Sequence, residues 1–123
     1  MRILGILALG KTTKELAIGL FDLFTGANIN KGVEEWQATE NAVLLDVRST
    51  SEYQQGHIPG SVNIPLDSIN RVLKKYPQKD TPLFVHCLSG GRSGQAVGFL
   101  KREGYTNVKN IGGINSYTGK VEH

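Results

Sequence analysis

The stretch HCLSGGRSG, residues 86–94, holds the only cysteine of this 123-residue chain. An apolar run, PLFVHC (residues 82–87), leads into it, and Leu88, Ser89, Gly90, Gly91, Arg92 and Ser93 follow. These residues favour a local order of strand, glycine turn and helix. In such a turn successive backbone N–H groups point into one concavity, helped by glycines that tolerate unusual dihedrals. The following helix, expected over residues 93–103, adds the partial positive charge of its N-terminus. Both effects favour an anion at Cys87 Sγ. A thiolate nucleophile is therefore expected, with a pKa below that of a free thiol. Arg92 supplies either a fixed charge at the rim or a salt bridge that braces the loop. Ser89 is placed to donate a hydrogen bond to a bound anion, and Ser93 is expected to cap its helix.

Elements of alternating type must position this loop. ANIN (residues 27–30) reads as a weak strand, followed by a helix over residues 32–37. NAVLLDVR (residues 41–48) is an apolar run ending in charge, which predicts a buried strand. STSEYQQG predicts a short helix capped by Ser49 or Ser51, and SVNIP (residues 61–65) a short strand. Residues 67–76 read as a helix with Ile69, Val72, Leu73 and Tyr76 on one face. PLFVHC is the central strand, and NVKNI (residues 107–111) the last. Ala96, Val97 and Leu100 face inward from the helix after the cysteine, and Gly104 stops it. Strand–helix alternation predicts an open parallel α/β sheet with right-handed crossovers. Ligands of such sheets bind beyond the carboxyl ends of the strands, where Cys87 falls.

The first 26 residues stand apart. GILALGKT (residues 5–12) satisfies the phosphate-loop pattern, yet only four residues precede Gly5, too few for the buried strand the mechanism requires. Thr12 and Glu15 instead form a capping box, and Gly26 closes the helix it opens. Leu16, Leu20, Leu23 and Phe24 make one apolar stripe on it. We expect residues 1–26 to be an uncleaved extension with a short amphipathic helix. Its stripe is expected to pack on the domain or on a partner, with membrane contact the disfavoured alternative. Residues 27–123 are expected to form the single domain. The apolar start is too short for a signal peptide, and Lys11, Lys14, Glu15 and Asp22 interrupt any membrane span.

Composition narrows the partners. The formal charge is +3, too weak to suggest nucleic acid. Residues 61–123 carry nine Lys/Arg against four Asp/Glu, whereas residues 1–60 carry five against seven. The half with the cysteine is basic, which favours a small anion. One cysteine excludes an intramolecular disulfide, and no Cys/His spacing reads as a metal site. A reducing, cytoplasmic setting and a monomer are the expectations.

CLSGGRS resembles the active-site loop of the rhodanese superfamily in its cysteine-x-x-glycine-x-arginine form. LLDVRSTSEYQQGHIPGSVNIP (residues 44–65) is similar to that family's other signature, and NVKNIGGINSY (residues 107–117) to its closing strand and glycine pair. The likeness covers about residues 28–117, with the motifs in the family's order. It implies a three-layer α/β fold with a five-stranded parallel sheet flanked by helices on both faces. It also implies that Cys87 carries sulfur as a persulfide, with Leu88, Ser89, Gly90, Gly91, Arg92 and Ser93 around the substrate. Asp46, Arg48, Glu52 and His57 match positions that hold the loops together. Tyr117 stands where many relatives have tryptophan. No cofactor is implied.

The expected activity is sulfur transfer from thiosulfate or a similar anionic donor to a thiol, cyanide or a sulfur-carrier protein. A persulfide relay or sensing module is the alternative from another class. Cysteine phosphatases and arsenate reductases of similar fold resemble C-x5-R, whereas Cys87 to Arg92 is C-x4-R, one residue shorter. Phosphoester cleavage also wants a general acid for its leaving group, which sulfite does not need. Strand alternation aims His86 away from Cys87, and His57 reads as the brace of a turn.

Overall fold

The computed structural model describes residues 28–123. The phosphate-loop pattern, the capping box, the apolar stripe and the boundary expected at Gly26 lie outside those residues. Helix α1 spans Ile29–Gln37, β1 Val43–Asp46, α2 Thr50–Gln55 and β2 Val62–Asn63. A 3-10 turn over Leu66–Ser68 leads to α3, Arg71–Lys75. Then come β3, Leu83–Cys87, α4, Gly91–Arg102, and β4, Val108–Gly113, with a second 3-10 turn at Ile114–Ser116. The strands lie in the order β2-β1-β3-β4, all parallel. With β3 at its centre, the sheet presents Cys87 at a carboxyl end, as expected.

Two apolar clusters, one on each face, make this a three-layer structure. Leu83, Val85 and Cys87 of β3 pack with Leu45 of β1, with Val72 of α3 and with Ala96, Val97 and Leu100 of α4. Phe84, between them in sequence, packs instead with Leu44, Ile111 and the α1 residues Ile29 and Val33. This division follows from the period of two in a strand buried on both faces. Each fully buried aliphatic side chain stabilises the fold by about 1.5–3 kcal/mol. Losing one from β3, buried along its whole length, would open a cavity in the layer that side chain faces.

Four strands rather than five are present among the described residues. The difference lies at ANIN, where Asn28 is the N-cap of α1 and its Oδ1 accepts from the N–H groups of Asn30 (3.1 Å) and Lys31 (3.4 Å). Capping draws Ile29 and Asn30 into the helix, and Ile29 is buried there. The helix expected over residues 67–76 is divided into the Leu66–Ser68 turn and α3. Asp67, Ser68 and Asn70 are residue types that favour turns over helix interiors, in keeping with that break. Ile69 and Val72 are still buried on the expected face.

α4 begins two residues earlier than expected. Its N-cap is Gly90, left-handed at φ 108°, which a side chain would adopt only with strain. Ser93 therefore sits inside the first turn and does not cap the helix. Gly104 ends the helix region as expected, at φ 100°.

The pairing of β3 with β4 shifts between Val85 and His86. Val85 faces Asn110, but His86 faces Gly112. This one-residue bulge lies at the carboxyl end, where the site is built. No helix among the described residues is long and apolar enough to cross a membrane.

Candidate active site

At the end of β3 the chain turns so that backbone donors surround Cys87. Gly90 N–H donates to Cys87 Sγ at 3.0 Å, and Ser93 Oγ lies 3.3 Å from the sulfur. Burial pushes the thiol pKa up, since Cys87 is 0% exposed. Hydrogen bonds from the Ser93 hydroxyl and from the N–H groups of Ser93, Gly90 and Ser89 outweigh that and hold it below the ordinary value. The arrangement favours a thiolate inside a low-dielectric pocket, activated without a base. Leu88, next to this covered sulfur, is 44% exposed.

Gly113 lets the loop sit this close to β4. A Cβ there would run into the Leu88 carbonyl oxygen and the Ser89 Cα. Asn115 N–H also donates to that carbonyl, at 3.1 Å. The second glycine of NVKNIGGINSY is thus a place of backbone contact.

Arg92 turns to Glu52. Its Nη1 and Nη2 donate to the two carboxylate oxygens at 2.7 and 3.0 Å, joining the start of α4 to α2. Of the two expected roles, the brace is formed; the guanidinium is also close enough to feel a charge on Cys87. Glu52 serves twice. Its Oε1 also accepts from Ser49 N–H while Ser49 Oγ accepts from Glu52 N–H, the capping box of α2.

The Arg92 hydrogen bonds lower the Glu52 carboxyl from 4.5 to about 2. A depressed folded-state pKa stabilises the fold fully above the unfolded value and is lost as pH falls through the folded one. The window therefore runs from about 4.5 down to about 2. Both side chains are about one-third exposed, so Glu52→Gln is expected to cost about 0.5–1 kcal/mol at neutral pH. Urea unfolding of both proteins at falling pH checks this: the gap should close as the carboxylate is protonated. A gap that stays constant through the window would exclude the ion pair as its source.

The remaining support residues lie under the loops. Asp46, fully buried, accepts from Arg48 N–H (3.0 Å), from Nε (3.0 and 3.1 Å) and from Nη2 (2.7 Å). Arg48 Nη2 also donates to the Gly56 carbonyl at 2.8 Å, tying β1 to the end of α2. His57 stacks on Tyr53 with centroids 3.8 Å apart and pairs through its backbone with Glu122, bracing its turn as expected. His86 faces away from Cys87 Sγ. Its Nδ1 is 3.3 Å from the Cys87 carbonyl oxygen, its Nε2 is 3.9 Å from Asp46 Oδ2, and burial lowers its pKa against the pull of Asp46. Neither histidine nor a carboxylate hydrogen-bonds the sulfur among the described residues. Tyr117 packs, partly buried, against the cluster that holds α1.

Asn110 joins the site from outside the residues expected to form it. Its Oδ1 accepts from Ser93 Oγ (2.7 Å) and Gly112 N–H (2.9 Å), and its Nδ2 donates to the Gly90 carbonyl (3.1 Å). An asparagine inside a strand, just before a glycine pair, was the available signal, because asparagine is depleted from strand interiors.

A parallel three-layer sheet whose central strand delivers a hydrogen-bonded thiol into a strand-to-helix turn defines a cysteine-loop α/β protein. The model of the rhodanese-like domain matches residues 30–120, and the chain belongs to that family. It is 42% identical over 71 residues to the thiosulfate sulfurtransferase PspE of Escherichia coli (strain K12), covering 57% of this chain and 68% of that one. It is 37% identical over 84 residues to the putative sulfur carrier protein YrkF of Bacillus subtilis (strain 168), covering 68% of this chain and 45% of that one. A solved rhodanese with anions from E. coli superposes with a TM-score of 0.62 at 36% identity, covering 66% of this chain and 96% of the other.

Proposed function

We propose that the protein is a sulfurtransferase that moves sulfane sulfur from thiosulfate or a similar anion through a persulfide on Cys87. The observation that carries this reading is the Cys87 sulfur held by Gly90 N–H and the Ser93 hydroxyl in a six-residue loop. The Cys87 thiolate attacks the outer sulfur of thiosulfate; the donor S–S bond breaks and sulfite leaves with its electron pair. Backbone N–H groups that stabilised the thiolate then stabilise the terminal persulfide anion. An acceptor thiolate or cyanide attacks the outer sulfur, and the Cys87 thiolate is the leaving group. No proton donor is needed in either step, consistent with the hydrogen bonds found at the sulfur. Residues 88–93 contact the donor, in a reducing cytoplasmic setting.

One observation favours a second reading, a persulfide relay with slow turnover. Cys87 is wholly covered, so a donor reaches the sulfur only as the neighbouring loop residues shift. That cover would also shield a stored persulfide, and the likeness to a putative sulfur carrier points the same way.

Steady-state kinetics with thiosulfate and cyanide test the proposal. Thiocyanate formation that saturates with thiosulfate is the expected result, with no hydrolysis of generic phosphate esters above the Cys87→Ser background. Negligible turnover despite a readily formed persulfide would move the assignment to the relay. Robust phosphatase activity would overturn both.

A further inference from the structure

We propose that Asn110 is a positioning residue for the Cys87 sulfur, acting through Ser93 and Gly90; this rests on Cys87 being the reacting group. Gly90 provides the N–H closest to the sulfur, and Ser93 the only side-chain hydroxyl bonded to it among the described residues. Asn110 holds both, through Ser93 Oγ and the Gly90 carbonyl. Its amide has one orientation available. Gly112 N–H can only donate and the Gly90 carbonyl can only accept, so Oδ1 faces Gly112 and Ser93 while Nδ2 faces Gly90. The regular register of β3 with β4 supplies the geometry: it places Asn110 opposite Val85, on the face that carries Cys87, with the bulge following directly after.

The Ser93 hydroxyl has one hydrogen and several acceptors within reach. Asn110 Oδ1 lies at 2.7 Å, the Gly90 carbonyl at 3.1 Å and Cys87 Sγ at 3.3 Å. With a neutral thiol, S–H donates to Ser93 Oγ and the serine hydrogen goes to Asn110. With a thiolate, the hydroxyl turns to the sulfur while Oδ1 keeps its bond from Gly112. The bond from Asn110 Nδ2 to the Gly90 carbonyl is present in both states, and it fixes the residue whose N–H faces the sulfur from the peptide next to that N–H. Charged groups do not account for this. Arg92, paired with Glu52, is the charged side chain at the start of α4, Asp46 is occupied by Arg48, and none of the four hydrogen-bonds Asn110.

The test is the pH dependence of Cys87 alkylation by iodoacetamide, which needs no sulfur transfer and so stands whatever the physiological reaction is. Asn110 is half-buried at the sheet end, a position expected to tolerate substitution. In Asn110→Ala the tether to the Gly90 carbonyl is lost, the N–H facing the sulfur is held less firmly, and the alkylation midpoint should move to higher pH. In Asn110→Asp the Nδ2 donor becomes an acceptor, and a negative charge sits one hydrogen bond from Ser93. The midpoint should then rise by about one unit, roughly a tenfold slower reaction at a pH below both midpoints. Thermal unfolding of each variant separates this from general damage. A folded variant of either kind with the wild-type midpoint would overturn the proposal, even if its melting temperature had fallen.

Discussion

Replacing Cys87 by serine is expected to lower sulfur transfer by more than about a thousandfold, the scale on which removing a covalent nucleophile acts. No second thiol exists in the chain to substitute. A serine hydroxyl in the same place can accept from Gly90 N–H and share a hydrogen bond with Ser93, but it is neither ionised at neutral pH nor able to carry a sulfane sulfur. Its smaller oxygen fits the space, so unfolding should change by about 1 kcal/mol or less. Kinetics and thermal unfolding of the same preparation check both parts. Near-wild-type transfer by a folded Cys87→Ser protein would contradict the mechanism; lost activity together with a collapsed melting temperature would show a structural role for the sulfur.

The largest expected effect on stability lies beneath the loop, at Asp46. Its carboxylate takes three N–H groups of Arg48, and both residues are buried, at 0% and 5% exposure. Asp46→Ala leaves the guanidinium buried with only the Gly56 carbonyl as partner, and removal of one member of such a pair costs about 3–5 kcal/mol. For a domain of this size the melting temperature should fall by roughly 15–30 °C. Adding Arg48→Met removes the stranded charge and should recover a large part of the loss, because an apolar pair can replace a buried ion pair at little cost. Calorimetry of the single and double variants decides between this and a looser network. A single variant within about 1 kcal/mol of wild type would mean that the charges are already well solvated.

The Cys87 loop was legible because strand, glycine turn and helix leave few alternatives when a thiol stands at the junction. The core was legible for a similar reason: within PLFVHC, Leu83, Val85 and Cys87 enter one apolar cluster and Phe84 the other. ANIN misled because four residues carry too little periodicity. Read further, Ile29, Val33 and Trp36 recur at helical spacing, and Asn28 is a good N-cap. Asn110 stayed hidden for a different reason. Its role depends on the register in which β3 pairs with β4, and register is a relation between distant segments that neither reveals alone. The Arg92 choice between rim charge and brace was open in the sequence, since it depends on α2 bringing Glu52, forty positions away, within reach.

Intact mass spectrometry after incubation with thiosulfate tests the central claim most directly. The account predicts that the wild-type chain gains the mass of one sulfur atom, that cyanide or a thiol removes it, and that Cys87→Ser never acquires it. An unchanged mass for the wild-type protein with thiosulfate and with other sulfane donors, or a sulfur adduct that persists in Cys87→Ser, would contradict it.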